Sequence, residues 1–269
     1  MPQVMYDPVP AYAIERVTSK SFTTMMHYHH VFELFYLQKG TREYFIGDEF
    51  YQINEGDVVL IPPNVIHRTA GKVATRTLVN FSHAFLKSHF TEELLTVLPL
   101  DRPMIFRPDE KLYGWVEEAF SLMQNRFADG EEASRPFVAC TLAGLLFSMA
   151  HETNRYVATP YTDQRIGQIV RYINEHFNEI EDIQQIAEHF FISKYHLCRT
   201  FNKALGLPLI SYLNSIKIRS AAELMKNEDL NLTDIATHCG FNSSSYFCKV
   251  FKAEKGVSPT AYRKRLLSK

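Results

Sequence analysis

One pattern occurs twice in the C-terminal part of this chain. The first copy covers residues 183–201 and the second covers residues 232–251. The offset between matching positions is 49 residues at Ile186 and 50 residues at Phe201, so the second copy carries one added residue near its middle. Two copies with a nearly constant offset between matching positions predict that this part of the chain folds as two related units.

Each copy predicts a short helix, a tight turn and a second helix. Leu197 and the phenylalanine four positions later lie on one helical face, where they form an apolar stripe. Ser193 is the predicted N-cap of the second helix, and Asn242 or Ser243 takes that place in the second copy. Gly240 suits the turn, because such a connection often needs a positive φ. The pattern is that of a helix-turn-helix unit.

A longer helix is predicted between the two copies. Pro208 marks its start, and residues 209–226 contain neither Gly nor Pro. At about 1.5 Å per residue this helix is roughly 28 Å long, while successive major grooves on one face of DNA lie about 34 Å apart. A single chain can therefore present two recognition helices to adjacent grooves.

Polar side chains remain on the second helix of each copy once the apolar stripe is set aside. Hydrogen-bonding and cationic groups at such positions are what a helix in a major groove requires. In the first copy they are Lys194, Tyr195, His196, Arg199, Thr200 and Lys203. In the second copy they are Ser244, Ser245, Tyr246, Lys249 and Lys252. A solvated surface charge is the alternative for Arg199 and Lys249, but the doubling of the pattern favours DNA contact.

Further signatures accompany the two copies. They are residues 193–201, the Gly240-Phe241 pair, residues 245–251 and the closing Gly256-Val-Ser-Pro-Thr-Ala-Tyr-Arg263. With them, residues from about 165 to 267 resemble the DNA-binding domain of the AraC/XylS family of bacterial transcription regulators. The resemblance implies that double-stranded DNA and RNA polymerase are partners. It also implies that base edges are met from Tyr195, Cys198, Arg199, Ser244, Ser245 and Lys249.

Charge is divided unevenly along the chain. The 269 residues carry a net charge of −1, which by itself does not indicate a nucleic-acid-binding protein. From Arg165 onward there are 15 Lys and Arg against 10 Asp and Glu, so this part carries +5. The first 164 residues have 14 against 20 and carry −6. The basic part is therefore the part with the repeat, and the length suits two domains.

Cysteine spacing and the N-terminal residues predict a reducing, cytoplasmic location. The four cysteines match no C-x-x-C spacing, and the chain starts without a basic and apolar signal segment. The most apolar run, residues 137–149, is too short to span a bilayer. We therefore expect a cytoplasmic protein with no membrane segment.

The N-terminal half contains short strand-like runs separated by Gly and Pro. The runs are residues 33–38, 41–46, 49–53, 57–61 and 76–81. Regular short strands with turn signals of this kind indicate a small barrel or sandwich.

Two histidine motifs lie within these runs. They are His27-x-His29-x(3)-Glu33-x(6)-Gly40 and Gly56-x(5)-Pro62-x(4)-His67. This spacing resembles the two cupin motifs, and sensor domains of the AraC/XylS family commonly resemble cupins. The resemblance implies that His27, His29, Glu33 and His67 meet inside a barrel. Three uses stay open: a site for Zn, Fe, Mn or Ni, direct contacts to an effector without a metal, or a structural polar network.

Two helices are predicted between the halves, over residues 111–127 and 134–149. Either both cover the core of the barrel, or they supply the dimer contact that the family resemblance implies. The second helix is apolar on more than one side, so we favour a homodimer. Pro160 marks a linker after these helices.

The sequence as a whole predicts a multidomain β + α protein. Residues 1–155 form a cupin-like β-barrel with flanking helices for effector sensing and dimerisation, and residues 156–164 form a linker. Residues 165–269 form an all-α domain with two helix-turn-helix units joined by a linker helix.

We expect a sequence-specific DNA-binding transcription regulator that responds to a small molecule and has no catalytic activity. Sugars are candidate effectors, because many members of the resembled family sense them and the chain has 14 Tyr. The alternative is a metal-dependent cupin enzyme fused to a DNA-binding tail.

Overall fold

A computed structural model describes residues 5–6, 9–19, 24–128, 134–151 and 164–267. The predicted linker lies outside these ranges except for its last residue. Two compact units divide the chain. A β-rich unit contains residues 7–24 and 28–160, and a helical unit contains residues 1–6, 25–27 and 161–269. No helix in the described ranges is long and apolar enough to cross a membrane.

The described ranges contain the following strands and helices. The strands are β1 (Met5–Tyr6), β2 (Tyr12–Ser19), β3 (His27–Tyr28), β4 (Phe32–Lys39), β5 (Thr41–Ile46), β6 (Glu49–Asn54), β7 (Val58–Ile61), β8 (His67–Ala70), β9 (Ala74–Phe81) and β10 (Met104–Phe106). The helices of the β-rich unit are α1 (His83–His89), α2 (Glu92–Val97), α3 (Glu110–Ala128) and α4 (Ser134–His151). The helices of the helical unit are α5 (Gln164–His176), α6 (Ile183–His189), α7 (Lys194–Leu205), α8 (Leu209–Leu224), α9 (Leu232–His238), α10 (Ser244–Lys255) and α11 (Pro259–Leu267).

Each strand-like run predicted from the sequence forms a strand of the structure. In chain order, the five runs correspond to β4, β5, β6, β7 and β9. Sequence patterns did not predict β2, β8, β10 or the short helices α1 and α2. Strands β8 and β10 have four and three residues, which gives little alternation to recognise, whereas the equally short β7 was predicted from its continuous apolar run.

Two antiparallel sheets face each other in the β-rich unit. One contains the order β3-β8-β5-β6, and the other has the order β10-β7-β4-β9-β2. Side chains from both sheets share one buried core, among them Phe35 of β4, Tyr44 of β5 and Val59 of β7. This arrangement is the cupin-like barrel that the histidine motifs predicted.

Strand β4 separates this core from a second one. Phe32, Leu34 and Tyr36 belong to a cluster that also contains buried side chains of α3 and α4. The alternate positions, Glu33 and Phe35, face the inside of the barrel, because successive side chains of a strand point to opposite faces. Helices α3 and α4 therefore cover the outer face of the barrel sheet. Covering the core of the barrel was the first of the two roles that the sequence predicted for them.

The helical unit contains both predicted helix-turn-helix units, α6 with α7 and α9 with α10. The side chain of Ser193 caps α7, and Ser243 rather than Asn242 caps α10. Gly240 has the expected positive φ, at 73°. Helix α8 joins the two units and ends at Leu224, two residues before the predicted end.

A buried lysine on α8 connects the two helix-turn-helix units. The Lys217 Nζ atom donates hydrogen bonds to the carbonyl oxygen of Ile180, at 2.8 Å, and of Gly240, at 2.6 Å. It also lies 5.5 Å from the centre of the Phe241 ring. Burial lowers the pKa of Lys217. Ile180 precedes α6 and Gly240 lies in the second turn, so one ammonium group holds both.

The backbone at Gly240 is also packed tightly. A Cβ atom at this position would lie 2.3 Å from the carbonyl oxygen of Asn178. Gly256 has the same φ of 73°, but a Cβ there would meet no heavy atom within 4 Å. The two glycines therefore share a backbone conformation and differ in the space around them.

We predict that Gly240→Ala lowers the free energy of unfolding more than Gly256→Ala does. Both changes place a side chain at a positive φ, which costs about 1–2 kcal/mol. Only the change at Gly240 also forces Cβ into the backbone of Asn178, and overpacking adds roughly 1–3 kcal/mol. Urea unfolding of the full chain, followed by circular dichroism, measures both. Equal losses in the two variants would contradict the close packing of this turn.

Candidate functional site

The first recognition helix, α7, has one buried face and one exposed face. Leu197, Phe201 and Leu205 are buried. The predicted DNA-contacting residues Tyr195, His196, Arg199 and Lys203 are exposed, and Cys198 is half-buried. Tyr195 retains 75% of its accessible surface. The apolar stripe was therefore predicted correctly, and the polar side chains are available to a partner.

The second recognition helix, α10, repeats this arrangement. Phe247 and Phe251 are buried. The predicted contact residues on the other side, Ser244, Ser245, Lys249 and Lys252, are all exposed. Tyr246 is also exposed, and its hydroxyl accepts a hydrogen bond from Asn214 Nδ2 at 3.0 Å.

Lys194, like Tyr246, has a partner inside the helical unit. Its Nζ atom lies 2.8 Å from Asp182 Oδ1, and this hydrogen bond lowers the pKa of Asp182. Asp182 also caps α6, where it forms a capping box with Gln185. Lys194 thus links the starts of α6 and α7, a role that the sequence did not indicate.

A second candidate site lies inside the β-rich unit, where His29, Glu33 and His67 meet. One ligand atom of each lies within 4.8 Å of the other two, and all three residues are buried. His29 Nε2 is 3.4 Å from Glu33 Oε2, and the two imidazole rings are 5.0 Å apart. Glu33 and His67 come from opposite sheets. We refer to these three residues as the triad.

Both imidazole rings of the triad are oriented through Nδ1. His29 Nδ1 lies 2.8 Å from the carbonyl oxygen of Val31, and His67 Nδ1 lies 2.9 Å from that of Val65. A carbonyl oxygen can only accept, so each Nδ1 carries the hydrogen, and in the neutral ring Nε2 has the lone pair. Metal-binding histidines are commonly oriented in this way. Two imidazoles and a carboxylate therefore fit a divalent transition metal.

His27, the fourth predicted ligand, is not among the residues that meet at the triad. It is only half-buried, and its Nδ1 is 2.8 Å from the carbonyl oxygen of Met25. The physical reason is that β3 ends at Tyr28, so regular alternation does not carry His27 and His29 to one face. The structure thus brings three of the four residues of the cupin spacing together.

Sequence reasoning missed five further polar residues that are buried on the inner faces of the barrel. They are Arg42, Tyr44, Thr69, Arg76 and Asn80. Tyr44 donates a hydrogen bond from its hydroxyl to Glu33 Oε1 at 3.2 Å. The available signal was alternation along β5, which places Arg42 in phase with the core residues Tyr44 and Ile46.

Family models match both units of the chain. The AraC-like ligand binding domain matches residues 10–139, and a helix-turn-helix domain matches residues 186–265. Together the two matches cover most of the chain.

Three relatives illustrate the level of similarity. The regulatory protein PocR of Salmonella typhimurium is 34% identical over 119 residues, which are 44% of this chain and 39% of PocR. The transcriptional activator RhaS of Citrobacter koseri is 26% identical over 246 residues, which are 88% of this chain and 86% of RhaS. The fatty-acid-bound structure of ToxT from Vibrio cholerae is 18% identical with a TM-score of 0.41, over 96% of this chain and 97% of ToxT.

The two family matches and the RhaS similarity support a ligand-responsive DNA-binding regulator rather than a cupin enzyme with a DNA-binding tail. The chain belongs to the AraC family of transcription regulators, with a ligand-binding domain followed by a helix-turn-helix DNA-binding domain.

Proposed function

We propose that this regulator binds its effector inside the barrel at the triad and reads DNA through α7 and α10. The observation that carries the proposal is the convergence of three buried, ligand-competent side chains from both sheets of the ligand-binding domain. These side chains are held in place by hydrogen bonds to Val31, Tyr44 and Val65 and lie inside the ligand-binding domain. An effector that binds them can shift the population of DNA-binding conformations.

A metal ion at the triad is a second candidate, favoured by the Nδ1 hydrogen bonds of both histidines. His29, Glu33 and His67 would hold Zn, Fe, Mn or Ni. Such an ion would act as a Lewis acid toward an oxygen atom of the effector. The residues would then bind a ligand rather than turn over a substrate, because the relatives found are transcription regulators.

The effector is proposed to be a sugar or a related polyhydroxylated molecule. The side chains at the triad and Tyr44 are hydrogen-bonding groups, and such groups recognise hydroxyls. RhaS, a relative over most of its length, is named as a transcriptional activator. We therefore also propose that this chain activates transcription by contact with RNA polymerase.

A homodimer through α4 is proposed as well. Phe137 and Phe147 retain 40% and 46% of their accessible surface, although α4 is otherwise a core helix. Cys140 and His151 are exposed beside them. Positions 137, 140, 147 and 151 are separated by three, seven and four residues, which places them on one side of the helix, as in a helix that packs against a second helix. The proposed occupant of this face is the same helix of a second copy.

For the DNA interface we predict different effects at base-contacting and phosphate-contacting positions. Arg199→Ala should relax the preference at one or two base pairs and cost about 1–3 kcal/mol of binding free energy. Lys203→Ala and Lys252→Ala should weaken binding to all duplexes alike and reduce its salt dependence. Fluorescence anisotropy would compare a duplex selected from genomic DNA with a random duplex. An equal loss on both duplexes for Arg199→Ala would contradict its role in base recognition.

For the barrel we predict that His29→Ala and Glu33→Ala abolish the effector or metal response while DNA binding without effector stays near the wild-type level. His27→Ala is the matched control, because His27 lies outside the triad and should retain the response. Metal analysis of the purified protein and calorimetric titration of candidate sugars measure this. Unchanged metal content and unchanged sugar affinity in both triad variants would reduce the triad to a structural network.

For the dimer we predict that Phe147→Glu yields a monomer, because a carboxylate at an apolar helix interface is costly to bury. Phe147→Leu keeps an apolar side chain and should remain dimeric. Sedimentation equilibrium of the full chain distinguishes the two states. A monomeric wild-type protein, or a dimeric Phe147→Glu variant, would contradict the proposal.

A further inference from the structure

Aromatic rings from α5 and from the end of α6 meet on the outside of the helical unit. The ring of Tyr172 stacks on that of His189, with ring centres 4.0 Å apart. Phe190 and His176 also contact Tyr172, at 5.7 Å and 4.7 Å between ring centres. Phe191 follows Phe190 directly and is 95% exposed, and none of the five residues is buried. We refer to these five residues as the aromatic surface.

The helix-turn-helix fold does not require aromatic side chains at this turn. The second copy has Cys239 and Gly240 where the first has Phe190 and Phe191, and it forms the same helix, turn and helix. Phe191 also has a positive φ of 53°, which is unfavourable for a bulky side chain. Its exposed ring adds nothing to the packing of the unit, so a contact with a partner accounts for it better than the fold does.

The aromatic surface lies in an acidic segment of a unit that is basic as a whole. Glu179 Oε2 is 3.4 Å from His176 Nδ1, and the carbonyl oxygen of Glu188 accepts a hydrogen bond from the backbone N–H of Phe191 at 3.1 Å. Both glutamates are exposed. Residues 171–194 contain 5 Asp and Glu against 2 Lys and Arg, so this segment carries −3.

Charge decides which kind of partner fits the aromatic surface. DNA is a polyanion and is repelled by an acidic segment. The first 164 residues carry −6, so the β-rich part of this chain or of a second copy does not complement the segment either. In the proposed function the cationic recognition helices are bound to DNA. A basic surface of another protein remains, and its arginines would stack on aromatic rings and pair with carboxylates.

We propose that the aromatic surface is where this regulator contacts RNA polymerase, and that the polymerase segment bound there is basic. The ring of Phe191 would be buried at the centre of the contact, and Glu179 and Glu188 would pair with Lys or Arg at its rim. Aromatic side chains at the centre and charged side chains at the rim are typical of protein interfaces. The inference rests on the proposed activation of transcription and adds the surface and the charge of the partner.

Transcription and promoter occupancy, measured together in the host, test the inference. A reporter gene is placed behind a promoter that the full chain selects from genomic DNA, and chromatin immunoprecipitation measures occupancy. Phe191→Gly and Glu188→Lys should each lower transcription by about tenfold or more at wild-type occupancy, because they remove a central contact and reverse a rim charge. Glu228→Lys makes the same charge reversal at an exposed glutamate between α8 and α9, and it should transcribe like the wild type.

Phe191→Gly separates contact from folding. Glycine adopts a positive φ without strain, as Gly240 does at the matching position, so this variant should keep the wild-type Tm and the wild-type affinity for the selected duplex. Purified RNA polymerase holoenzyme is titrated onto the labelled duplex with the wild type or the variant bound. The wild type should bind polymerase about tenfold more tightly than Phe191→Gly does.

Two results would overturn the inference. In the first, Phe191→Gly and Glu188→Lys transcribe like the wild type, or they lose transcription only as occupancy falls. In the second, polymerase binds the wild-type complex no more tightly than the Phe191→Gly complex. A wild type that occupies the promoter without raising transcription would instead contradict the proposed activation.

Discussion

A charged side chain can be buried only where other groups replace its water, and the helical unit is organised around one such charge. Lys217 lies in the middle of α8, where its ammonium group binds the carbonyl oxygens of Ile180 and Gly240. One of these precedes the first helix-turn-helix unit and the other lies in the turn of the second. The spacing of the two recognition helices therefore depends on a lysine that lies on neither of them.

The two turns of the helix-turn-helix units differ in the residue types that they accept. Phe191 in the first copy and Gly240 in the second occupy matching positions, and both have a positive φ, at 53° and 73°. Phe191 is 95% exposed, so its side chain extends into solvent and only the backbone conformation is unfavourable. At Gly240 the backbone of Asn178 occupies the space of a side chain. The second turn therefore requires glycine, and the first does not.

The cost of burying a charged side chain also applies to the β-rich unit. Residues Phe32 to Leu37 of β4 are all buried, since one face of the strand packs against α3 and α4 and the other faces the barrel. Glu33 is thereby placed inside, where the triad and Tyr44 surround it. Asp57 satisfies the same requirement through Arg107.

The sequence by itself determined the elements that have a strong local signal. The two helix-turn-helix units were predicted because apolar side chains at helical spacing recur with N-caps such as Ser193, and these signals are local. The resemblance to the cupin motifs predicted that four residues meet, and the structure brings His29, Glu33 and His67 together. Only the tertiary structure decided that His27 lies outside the triad, because β3 ends one residue later.

The tertiary structure also decided which buried charges meet. Alternation along β5 places Arg42 in phase with core residues, but no local signal indicates that Arg76, 34 positions later in the sequence, faces the same interior. Their meeting depends on how the two sheets pair and pack, as does the contact of Lys217 with two distant carbonyl oxygens. Helical spacing and capping act over a few residues, whereas the neighbours of a buried charge are set by contacts between distant segments. The sequence therefore determined the fold and the class of regulator, and the packing of the sheets and helices decided the chemistry of the sites.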